Sequence, residues 1–186
     1  EETGGLRLIQ LVVRLLLQSR RGRREIDGHR VRYARGSRQR PLDAVDSGFI
    51  RRHLIGGVEQ REIVIAEYDP AWPRRYEALA RAVRDALGGT LLRIEHVGST
   101  SVPGLAAKPI IDILAVVPDS ADEDSYVPRL VAAGYALRVR EPDFFEHRML
   151  RTAARDVHLH VYSPAAAEID RVIAFRGRLR GSAEDR

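Results

Sequence analysis

The stretch Ile110–Val117 (IIDILAVV) constrains the fold more than any other part of the chain. Apart from one residue it is an unbroken apolar run, and a strand of that kind is covered on both faces rather than half exposed. It therefore asks for a layered domain with helices packed on either side of a sheet. The interruption, Asp112, is a carboxylate where a charge is costly unless it meets a cation or good hydrogen bonds. Period-two alternation puts Asp112 with Ile110, Leu114 and Val116, so its own face is otherwise apolar. The alternative is a strand-end carboxylate that caps a neighbouring loop.

The flanking sequence supplies the remaining elements. Glu62–Glu67 (EIVIAE) reads as a short edge strand. Asp69-Pro70 reads as an N-cap followed by a first-position proline. Trp72, Tyr76, Leu79, Ala80, Val83 and Leu87 follow at helical spacing, and Gly88-Gly89 ends the helix. Thr90–Val97 alternates as a strand. Asp122–Ala133 predicts a helix closed by Gly134, and Tyr135–Arg140, Phe144–Arg151 and Val157–Tyr162 predict three strands. A last helix runs from Ala165 to about Arg180. The pattern lacks a strict βαβ rhythm, so the expected class is α/β (α+β), a mixed sheet flanked by helices.

Charge divides the chain of 186 residues. Residues 1–60 carry 13 Arg against 7 acids, and residues 61–186 carry 18 basic residues against 19 acids, so the net +5 belongs to the N-terminal third. Residues 1–40 are expected to be an Arg-rich, poorly ordered or non-native extension, residues 41–61 a linker or peripheral helix, and 62–186 the folded domain, cut short at its C-terminus. Nucleic acid would be a partner only through the 1–40 extension, by phosphate neutralisation, against the reading of that extension as merely poorly ordered. The absence of cysteine excludes disulfides, Cys-ligated zinc, iron–sulfur clusters and thiol nucleophiles. It fits a cytoplasmic location. No apolar run is long enough for a membrane span.

Three groups of residues carry chemistry. Gly98, Ser99, Thr100 and Ser101 form a small hydroxyl-rich turn after a strand, of the kind whose backbone N–H groups approach phosphate oxygens. The turn is not a P-loop, because the Gly-Lys-Ser/Thr ending is absent. Asp112 follows thirteen residues after Ser99. Asp156, His158 and His160 alternate along one strand and share a face, a spacing that fits metal ligation or water positioning, or simply hydrogen-bonded histidines. His96, before the turn, is open to the same two readings. Lys108 is the single lysine among 31 basic residues and lies between the turn and Asp112.

HVGSTSVPGLAAKPIIDI (96–113), preceded by YDPAWPRRYEAL from Tyr68 and followed by VHLHVY from Val157, resembles the signature of the GrpB family. The resemblance covers residues 62–186 and implies a DNA polymerase β-like nucleotidyltransferase fold. It implies that Gly98 and Ser99 hold nucleotide phosphates, with Thr100, Ser101 and Lys108 beside them, and that Asp112 is the first acid of a metal-binding pair. The second acid of that pair is replaced by Leu114. His158 and His160 match the family's histidine segment and are expected to serve as bases or extra ligands. The expected function is nucleotidyl transfer from an NTP to an unknown acceptor, with Mg²⁺ or Mn²⁺. The alternative is a catalytically inactive nucleotide-binding or folding-accessory module.

Overall fold

The computed structural model describes residues 24–27, 30–33, 53–57 and 64–182. Within the Arg-rich segment, Arg24–Asp27 (β1) pairs antiparallel with Arg30–Tyr33 (β2), and β2 pairs with Ile65–Ala66 (β3). The rest of the expected 1–40 extension, and most of 41–61, lie outside the described residues. Ala66 exchanges backbone hydrogen bonds of 2.8 and 2.9 Å with Ala107, which ties β3 to the loop before the apolar strand.

Helix α1 spans Trp72–Leu87 and buries Trp72, Tyr76, Ala80, Val83 and Leu87, the stripe expected from the spacing. Its start differs from expectation. Asp69 is not the N-cap; Ala71 is, and Pro73 occupies the first turn. The Asp69 carboxylate accepts the Ala71 N–H at 2.8 Å, and its carbonyl accepts the Trp72 N–H at 3.0 Å. Asp-Pro thus builds a turn leading into the helix, and the second proline, whose missing N–H costs nothing there, fixes the first turn.

The main sheet contains Arg93–Val97 (β4), Ile111–Val116 (β5), Tyr135–Glu141 (β6), His147–Thr152 (β7) and Val157–Tyr162 (β8), in the order β4-β5-β8-β7-β6. β5 and β8 run parallel, and the other pairs are antiparallel, so the sheet is mixed. Two local expectations give way. The helix expected over 122–133 is a 3₁₀ turn, Glu123–Ser125, followed by a short helix α2, Val127–Ala132. Pro128 explains the break, since proline is tolerated only in the first turn of a helix and constrains the residue before it. The strand expected from Phe144 starts at His147, because Phe145 and Glu146 turn the chain with φ of +54° and +52°. No glycine marks that turn.

Each face of β5 has its own layer. Ile111, Ile113, Ala115 and Val117 join Val157, Leu159 and Val161 under α1 and α2. On the other face Leu114 and Val116, with Val97 and Tyr162, pack against Ala166 and Ile169 at the start of helix α3, Ala167–Gly181. That helix covers only part of its face. The end of the sheet that carries Asp112 is left half-exposed, and there the polar residues gather.

Candidate functional site

Register brings the site together. Asp112 lies opposite Val97 on β4 and opposite His158 on β8, and His160 lies opposite Leu114. Asp112, His158 and His160 therefore project from the same face of two adjacent parallel strands. His158 Nδ1 is 3.3 Å from Asp112 Oδ1, and His160 Nε2 is 3.8 Å from the same oxygen. One donor atom from each residue falls within 4.8 Å of the others. Their side chains keep 26%, 30% and 25% exposure, so the cluster is reachable from solvent. Burial alone would push the Asp112 carboxyl up, but His158 beside it pulls it the other way.

The Gly-Ser turn abuts this cluster because Gly98 directly follows the strand residue paired with Asp112. Gly98 has φ +69°, and a Cβ on it would lie 2.9 Å from Asp112 Cγ and closer still to Oδ2. Glycine is required here twice, once by the backbone and once by the carboxylate. The turn continues as a 3₁₀ segment, Ser99–Ser101. Gly98 and Ser99 are exposed, whereas Thr100 and Ser101 are buried. Thr100 Oγ1 donates to the Ile110 carbonyl at 3.0 Å, and Ser101 Oγ donates to the Gly98 carbonyl at 2.5 Å. Those two hydroxyls brace the turn from inside, and only Gly98 and Ser99 face outward. The Lys108 carbonyl accepts the Ile110 N–H at 2.7 Å, in the loop that enters β5.

Two of the sequence candidates lie elsewhere. Asp156 stays apart from the histidines: it pairs with Arg75, accepts from Thr152 Oγ1 at 2.5 Å, and its carbonyl accepts the Ile111 N–H at 2.9 Å. The residue precedes β8, so alternation does not govern its side chain. His96 points to the opposite face of the sheet, stacks on Tyr76 at 4.6 Å and lies 3.1 Å from Thr100 Oγ1. Burial lowers its pKa to about 4, against the pull of Asp112, so it is neutral and structural at pH 7. Because the Thr100 proton goes to Ile110, the His96 Nε2–H donates to Thr100.

The sequence reading missed two further groups. Arg176 of α3 donates to the His96 carbonyl at 2.6 Å and to Glu95 at 3.0 Å, and Arg180 donates to the Ser101 carbonyl at 2.7 and 3.0 Å. Their i, i+4 spacing was the available signal. The second group is Glu141 and His147, buried behind His160. Each would read in sequence as an ordinary strand-end polar residue.

A mixed five-stranded sheet, helices on both faces and a Gly-Ser turn against a strand carboxylate define an α+β domain of the class expected from the sequence. Residues 62–186 match the GrpB protein family, and the chain belongs to it. A UPF0157 protein of Halalkalibacterium halodurans is 56% identical over 124 residues, which are 67% of this chain and 64% of that protein. One of Streptomyces coelicolor is 50% identical over 133 residues, 72% of this chain and 69% of that protein. The crystal structure of GrpB from Enterococcus faecalis superposes with a TM-score of 0.57 at 37% identity, covering 64% of this chain and 74% of that one. The chain thus spans somewhat under two thirds of the Halalkalibacterium relative's length. Among the described residues no helix is long and apolar enough to cross a membrane.

Proposed function

We propose that this chain is a divalent-cation-dependent nucleotidyltransferase-like enzyme that transfers a nucleotidyl group from an NTP to an acceptor. The observation that carries the reading is the convergence of Asp112, His158 and His160 within 4.8 Å, against the exposed Gly98-Ser99 turn. One carboxylate and two imidazoles suit a transition-series ion such as Mn²⁺ or Zn²⁺ better than Mg²⁺, which prefers oxygen ligands. Bound there, such an ion would act as a Lewis acid toward phosphoryl oxygens. Gly98 and Ser99 would orient the phosphates through backbone N–H groups. In the transfer, the acceptor forms a bond to the α-phosphorus, pyrophosphate departs, and the acceptor loses its proton.

A second reading, a nucleotide-binding module without turnover, is favoured by one observation. Leu114 stands where a second metal-binding acid would be needed, and it is 1% exposed inside an apolar cluster. A single carboxylate falls short of the two-metal arrangement that most phosphoryl transfer uses. The two readings separate in one assay. Pyrophosphate release from NTPs should require Mn²⁺ and fall at least about 100-fold in Asp112→Asn, in line with loss of a charge-stabilising group. Cation-dependent NTP binding without pyrophosphate release supports the module. Neither binding nor release removes both.

A further inference from the structure

Behind the half-buried cluster runs a buried chain of polar contacts. Glu141 and His147 are 4% and 3% exposed and face each other across the β6–β7 hairpin. His147 Nδ1 is 2.6 Å from Glu141 Oε2, and His147 Nε2 is 3.0 Å from His160 Nδ1. The His147 ring lies nearly parallel to those of His160 and Tyr162, with centroids at 5.2 and 4.7 Å.

We propose that Glu141 and His147 are positioning residues that lock His160 in the tautomer whose Nε2 lone pair faces a bound cation. The reasoning follows the protons. Glu141 Oε2 is an acceptor, so His147 Nδ1 carries hydrogen and donates. A neutral imidazole whose hydrogen sits on Nδ1 presents Nε2 as an acceptor, here toward His160 Nδ1 at 3.0 Å. His160 Nδ1 must then donate to it, which leaves His160 Nε2 bare. That bare nitrogen faces the Asp112 carboxylate at 3.8 Å, too long for a direct hydrogen bond. Two acceptors turned toward one another across such a gap are satisfied together by a positive ion. Hydrogen bonds of this kind behind a ligating histidine typically hold its tautomer and orientation.

This inference rests on the cation reading of the site, and the test keeps the two apart. The full chain is titrated with Zn²⁺ and with Mn²⁺ alone by calorimetry, as wild type, His147→Phe and Glu141→Gln. Phenylalanine preserves the stacked ring but cannot accept from His160; glutamine can still accept from His147. The expected result is a 10- to 100-fold loss of affinity in His147→Phe and a smaller loss in Glu141→Gln. Imidazole ¹⁵N shifts of the metal-free wild type should show His160 protonated at Nδ1 and bare at Nε2. Wild-type binding with unchanged affinity in His147→Phe, or a His160 ring protonated at Nε2, overturns the positioning role. No binding by the wild type overturns the cation site itself, and the positioning role with it. A His147→Phe chain that unfolds leaves the ¹⁵N tautomer of the wild type as the deciding measurement.

Discussion

At Gly98 and Leu114 single side chains set what the site can hold. Gly98→Ala should cost about 2 kcal/mol of stability in urea unfolding, from the left-handed backbone and from the Asp112 side chain that the new methyl displaces. Loss of Mn²⁺ affinity should accompany it, and a variant with wild-type stability and affinity would show that the turn does not need glycine. Leu114→Asp places a carboxylate in the apolar cluster of Val97, Tyr162 and Ile169. Such a charge costs about 3–5 kcal/mol, so the variant should unfold or lose most of its stability instead of gaining a second ligand. His96 makes a pH prediction. Its folded pKa of about 4 lies below the unfolded value near 6.5, so the unfolded chain binds the extra proton between those values. Its contribution is full above about pH 6.5 and is lost as pH falls toward 4, by up to about 3 kcal/mol. His96→Phe, which keeps the Tyr76 stack, should flatten that part of the stability profile; an unchanged profile would place the titration elsewhere.

Helix α3 links the sheet to the turn through Arg176 and Arg180. Replacing Arg180 with Met should leave the Ser101 carbonyl without its charged donor, at about 1.5–3 kcal/mol. Phosphate binding should weaken as the turn loosens, and a stable variant that binds as wild type would make Arg180 merely peripheral. The elements themselves were legible where one strong signal acted alone: the apolar run of β5, the helical stripe of α1, the alternation of β8. They were misread where two local signals competed, as at Asp69 against Pro73 and at Pro128 inside an apparent helix. The turn at Phe145–Glu146 carries no glycine, asparagine or aspartate in its left-handed positions, so composition could not mark it. In the site, Asp112, His158 and His160 were readable because an acid in an apolar strand and a His-x-His pair each break a pattern. That Asp156 stands apart, and that Glu141 and His147 stand behind, depends on strand ends and on the β7–β8 pairing, which no local pattern carries.

Across the whole domain, the mixed sheet divides its labour between faces. One face is sealed by α1 and α2, while the other is covered by α3 along Leu114 and Val116 and left open at Asp112. The open end places one carboxylate and two imidazoles beside a glycine turn whose backbone can approach a ligand. Crystals of the full chain soaked in Mn²⁺ and an NTP, with diffraction recorded at the manganese edge, test this arrangement most directly. An anomalous peak should lie among Asp112, His158 and His160, with phosphate oxygens against Gly98 and Ser99, and both should vanish in Asp112→Asn. A saturated crystal with no ion between those three residues, or with the nucleotide bound away from the turn, would contradict it.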